Sequence, residues 1–102
     1  MIKVVIKTDE STKKIISIEV KGHSNKDTYG KDLVCAEVSA IITGGMNSLM
    51  DKDYSFILKE GHALIKANDI PSDYDSVVLK TIETQLRTIE EVEKKFVNIE
   101  IL

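Results

Sequence analysis

One cysteine, one proline and no tryptophan occur in 102 residues, and aromatic side chains make up 5% of the chain. A single cysteine cannot close an internal disulfide, so stability must come from the core or from a partner subunit. Long apolar runs are missing too. No segment approaches the roughly 20 apolar residues that a membrane-crossing helix needs. Basic excess is also absent. Lys and Arg number 14 against 17 Asp and Glu, giving a net charge of −3 and a pI near 5.4. No global positive field therefore draws nucleic acid, and the lysines do not cluster with exposed aromatics as in a nucleic-acid groove. The first residues, Met1-Ile2-Lys3-Val4-Val5-Ile6-Lys7, are broken by lysines and carry no small-residue cleavage site. They read as a strand rather than a signal peptide, so the cytoplasm is the expected compartment.

What is present is ordinary for one globular domain spanning residues 1–102: 42% hydrophobic and 30% charged residues. Ile2, Val4 and Ile6 alternate with Lys3, Val5 and Lys7, and Ile16, Ile18 and Val20 with Ser17, Glu19 and Lys21, which predicts two strands, the second ending at Gly22. The polar stretch over 24–31 reads as an exposed loop. Asp32 then reads as the cap of a helix that begins at Leu33, with Val34, Val38, Ile41 and Ile42 on its buried face. Gly44-Gly45 marks a kink or a close backbone contact within it. Tyr54, Phe56 and Leu58 alternate, Glu60-Gly61 turns the chain, and Ala63, Ile65 and Ala67 complete a hairpin. Ser72 and Asp75 resemble a capping box before a helix striped by Val78, Ile82, Leu86, Ile89 and Val92. Val97, Ile99 and Ile101 close the chain as a strand. The expectation is an α+β domain of order ββαββαβ, about five strands in one sheet with two helices.

The chemistry concentrates in Gly22-His23-Ser24 and in Gly30-Lys31-Asp32-Leu33-Val34-Cys35-Ala36-Glu37-Val38-Ser39-Ala40. A cysteine nucleophile works as thiolate, which a helix N-terminus favours, and Cys35 would be the third residue after an Asp32 cap. His23 ends a strand, and a loop joins it to that helix, so the two can converge as base and nucleophile. Free N–H groups of the first helical turn could hold a developing oxyanion. By spacing alone the pattern is not distinctive, because a lone cysteine on an apolar helix is more often a small core residue. Ser39, one turn beyond Cys35, suits either helix packing or a hydrogen bond to the site. His62 opens a strand after Gly61 and reads as a surface residue. One cysteine and two histidines without ligand spacing predict no metal site, and no phosphate loop or dinucleotide fingerprint predicts a cofactor.

The long motif over residues 22–40 resembles the ribosomal-processing cysteine protease family. That resemblance implies trimming of the N-terminal extension from a bacterial large-subunit ribosomal protein, so a ribosomal-protein precursor is the expected substrate and a homodimer the expected state. It further implies that His23 is the base and Cys35 the nucleophile, with Asp32 and Ser39 beside the site. Gly22 and Gly30 would bound a loop that admits substrate. Ser24 and Glu37 depart from the family, where alanine is common at both positions; neither change removes a catalytic group. The competing reading is a non-catalytic ribosome-assembly module whose cleft only holds a ribosomal protein. An RNA-binding domain is a third, disfavoured by the acidic pI.

Overall fold

The computed structural model describes residues 1–22 and 29–102, with side chains in the second stretch described from residue 33 onward. Strand β1 (Ile2–Thr8) runs antiparallel to β2 (Ile15–Lys21), and helix α1 (Tyr29–Ser48) follows. Then come β3 (Tyr54–Lys59), β4 (His62–Ala67), helix α2 (Asp73–Val92) and β5 (Val97–Ile101). The sheet order is β3-β4-β2-β1-β5, with β5 parallel to β1 and the other neighbours antiparallel. This is the expected α+β architecture of five strands and two helices.

Alternation decides which face of the sheet is dry. Ile2, Val4 and Ile6 of β1, Ile18 and Val20 of β2, Ile65 of β4 and Val97 of β5 point to one side. There they meet Val34, Val38 and Ile42 of α1 and Leu79, Ile82, Leu86 and Ile89 of α2. One irregularity alters the expected pattern. Between Lys7 and Thr8 the pairing skips, so that Lys7 faces Ser17 and Thr8 faces Ile15. The bulge moves Ile15 into the core, at 5% exposure, and leaves Ile16 only half-buried.

The two adjacent glycines of α1 behave differently. A Cβ on Gly45 would run into Cδ1 and Cγ1 of Ile82, whereas one on Gly44 would meet nothing. Gly45 is thus the point where the helices pack closely, so this pair marks a close contact.

Helix α2 begins as expected at Ser72, whose hydroxyl accepts from the Asp75 N–H at 3.2 Å. The reciprocal half of a capping box is not made. The Asp75 carboxylate is fully buried and accepts from Met50 N–H (2.8 Å), Asp51 N–H (2.9 Å) and the Tyr54 hydroxyl (2.9 Å). Asp51 in turn accepts from Ser72 N–H at 2.9 Å. This network ties the start of α2 to the connection between α1 and β3 and to the first residue of β3. Burial by itself raises the Asp75 carboxyl's pKa, but the bonds from Met50, Asp51 and Tyr54 outweigh it and hold the group below its usual value. Burial and the adjacent Asp75 carboxylate push the Tyr54 hydroxyl well above its ordinary range, so it stays a donor.

Candidate active site

Helix α1 starts at Tyr29, four residues before the position expected from the sequence. Asp32 is therefore inside the helix rather than its cap, and residues 29–31 are helical rather than loop. Tyr-Gly-Lys carries no cap signal, and a glycine weakens helix propensity by about 1 kcal/mol, which hides this first turn. With the start moved, Cys35 sits in the second turn. Its own N–H falls within the helix ladder, and the donors left over within the helix belong to its first three residues, 29–31. The helix field at Cys35 is correspondingly weaker, because it fades beyond the first turn.

Cys35 is partly buried and lines a groove of about 630 Å³. Val38, Ser39, Ile42 and Thr43 continue the same wall of α1, since residues three, four and seven apart share a helix face. The opposite wall is the turn of the β3–β4 hairpin, from Leu58 to Ala63, and the floor is Ile2 and Val20. Gly22 closes one end. Its φ is +97°, and a Cβ there would lie 2.5 Å from the Met1 carbonyl oxygen, so glycine is required.

Of the six residues singled out in the sequence, Cys35, Ser39 and Gly22 meet in this groove. Gly30 and Asp32 lie on the first turn of α1. His23 lies outside the described residues, as do residues 24–28 of the expected loop. His62, expected at the surface, is instead a groove residue. It is half-buried, with Nε2 2.7 Å from Glu19 Oε2. That hydrogen bond, with Lys21 nearby, holds the Glu19 carboxyl below its usual pKa against the opposing effect of partial burial. The signal for His62 lies in the strand register, because it pairs with Lys21, two residues along from Glu19. Among the described residues no group of His, Cys, Asp and Glu could hold a metal ion.

This groove, with a thiol on one wall, has close relatives. The family model described as cysteine protease Prp matches residues 1–98. The chain belongs to that family. The ribosomal processing cysteine protease Prp of Staphylococcus aureus is 31% identical over 83 residues, covering 76% of this chain and 78% of the relative. The S. aureus Prp crystal structure with a substrate peptide superposes with a TM-score of 0.89 at 26% identity, covering both chains fully. A second S. aureus Prp structure holds a covalently linked product peptide, with a TM-score of 0.88 and 28% identity over both full chains. The protein described here is accordingly a cysteine protease, a hydrolase of peptide bonds with the Prp fold.

Proposed function

We propose that this protease removes the N-terminal extension of a bacterial large-subunit ribosomal protein, with Cys35 as nucleophile and His23 as general base. One observation carries the assignment of Cys35. A cysteine protease needs a thiol, and this chain has one cysteine, which opens onto a groove wide enough for a peptide. His23 follows Gly22 in the chain, and Gly22 lines that groove. The Staphylococcus relative's name and its peptide complexes support the ribosomal-protein substrate.

The chemistry divides into two halves. His23 takes the thiol proton as Sγ attacks the scissile carbonyl carbon, and the carbonyl π pair moves to oxygen. As the tetrahedral intermediate collapses, the C–N bond breaks and His23 returns the proton to the leaving amine. Water, deprotonated by His23, then attacks the thioester, releasing the extension as a carboxylic acid and restoring the thiol. The free N–H groups of the first turn, at residues 29–31, are the nearest helical donors for the oxyanion. Because Cys35 sits beyond that turn, proton removal by the base is the step that activates the thiol. In the sequence Asp32 stands three residues before Cys35 and Ser39 four after it, the spacing of one helical turn, and this spacing favours both as supporting groups. Gly22 and Gly30 bound the segment through which substrate enters.

Apolar lining from Ile2, Val20, Ile42 and Leu58 suits an extension that is apolar near the cut. The protein works in the cytoplasm, and no described helix is long and apolar enough to cross a membrane. It forms a homodimer. Supporting that state is a second groove between α1 and α2, of about 730 Å³, where Tyr74 and Val77 remain 59% and 67% exposed beside Ala40, Gly44 and Ser48. Incubation with the precursor ribosomal protein tests the function. Cleavage that frees the mature N-terminus is expected, and an intact precursor after prolonged incubation would refute it.

A further inference from the structure

The chain is acidic overall, yet the strands sort their charges by face. Opposite the core, the register lines up Lys3 of β1, Lys21 of β2, His62 of β4 and Lys59 of β3 across four neighbouring strands. Two residues along, a middle row holds the half-buried Val5, Leu64 and Ile57, with Glu19 among them and Glu100 at the β5 edge. A third row again carries lysine, at Lys7 and Lys66, with Ser17 between them and Ser55 beyond. All five lysines are exposed. The acidic side chains of this face are Glu19 and Glu100, and Glu19 is already engaged by His62 at 2.7 Å and by Lys21 at 3.8 Å. Strands lie about 4.8 Å apart, so the first row spans roughly 15 Å, and rows two residues apart are separated by roughly 7 Å. Since the whole molecule carries −3, the remaining surface is more acidic than the total suggests.

We propose that this solvent face of the sheet is a docking surface for the phosphate backbone of RNA. Charge complementarity selects a polyanion, and the choice of RNA rests on the ribosomal-protein reading, because such a substrate is met on or near ribosomal RNA. No aromatic side chain of the described strands points to this face. Tyr54 and Phe56, whose rings stack at 5.6 Å, share the opposite face with Ile65. Bases therefore find no stacking platform, and recognition is of phosphates without regard to sequence. Lys59 and His62 also line the peptide groove, so the lysine face adjoins the groove at the β3–β4 turn, while Lys3, Lys7, Lys21 and Lys66 lie outside the groove lining.

The test is fluorescence anisotropy with a labelled RNA duplex of about 20 base pairs, titrated at about 50 and about 200 mM salt. A variant combining Lys3→Gln, Lys7→Gln, Lys21→Gln and Lys66→Gln is compared with a charge-matched control combining Lys13→Gln, Lys52→Gln, Lys94→Gln and Lys95→Gln. The native protein should bind with log affinity falling by about 2 to 4 per decade of salt, irrespective of RNA sequence. The sheet variant should lose at least about tenfold in affinity at the lower salt, and the control variant much less. Equal losses in both variants, no binding by the native protein at the lower salt, or binding only to anionic phosphatidylserine vesicles would each overturn the proposal. Cleavage of a peptide spanning the cut is scored separately and should be unchanged in the sheet variant. Failure of the peptidase reading and failure of the RNA surface thus give different results.

Discussion

At the residue scale, Cys35 and Asp75 make opposite demands. Cys35 is the proposed nucleophile, yet it packs as a small residue against the core. Cys35→Ala should therefore abolish cleavage while the melting temperature changes by no more than a few degrees; retained cleavage would remove Cys35 from the mechanism. His23→Ala should slow cleavage by about 10²-fold or more, and its pH–rate profile should lose the limb near neutrality. An unchanged profile would assign proton removal to another group, and His62 of the groove would be the first to examine. Asp75 is needed for the fold. Its folded-state pKa lies below its unfolded value, so the stability it contributes is present above the unfolded value and is lost as pH falls through the folded one. Asp75→Asn places an amide donor against N–H groups that need acceptors. It should cost about 2 to 4 kcal/mol, and urea titrations from neutral to acid pH should show a flatter acid loss than the native protein. The sequence pattern displays Asp75 as a capping residue because local spacing reveals local partners only. Its actual donors, Met50, Asp51 and Tyr54, lie more than 20 residues away in the chain.

At the element scale, neighbouring glycines provide the sharpest contrast. Gly44→Ala meets open space within a helix and should stabilise by about 0.5 to 1 kcal/mol. Gly45→Ala forces the new Cβ against the buried Ile82 and should destabilise by about 1 to 3 kcal/mol. Denaturant midpoints of the two variants should move in opposite directions, and matching shifts would contradict the close helix contact. Periodicity reveals the strands, the hairpins and the stripe Ile82, Leu86 and Ile89, because burial imposes that repeat directly. It fails where another interaction decides position. Val92 continues the stripe but is 75% exposed at the helix end, whereas Glu83 is buried because Lys80 and Arg87 pair with it at 2.9 and 2.8 Å. Ile16 gives way to Ile15 through a bulge that no alternation shows. The early start of α1 is hidden for a related reason: Gly30 reads as a breaker, and the rest of the helix outweighs its weak propensity.

At the scale of the whole molecule, two surfaces with different proposed tasks adjoin at one end of the sheet. The groove carries Cys35 on its α1 wall, the lysine row runs across the solvent face, and the two adjoin at the β3–β4 turn, where Lys59 and His62 line the groove. Much of the candidate site is legible in the amino-acid sequence, since the motif over residues 22–40 contains Cys35, Ser39 and Gly22, which line one groove. His62 is not, because it reaches the groove through strand pairing distant from the motif. The apolar face between α1 and α2 predicts that the protein sediments as a dimer, and that Val77→Glu shifts it to monomer without changing its fold by circular dichroism. A native protein that sediments only as monomer would refute the homodimer. Peptide cleavage through a covalent bond to Cys35 is decided by acid-quenched intact-mass spectrometry of the enzyme mixed with a peptide spanning the cut. A transient adduct with the mass of the N-terminal extension should appear, mapped to Cys35 and absent in Cys35→Ala. Cleavage at full rate by both proteins, with no adduct at any time, would contradict covalent catalysis by this thiol.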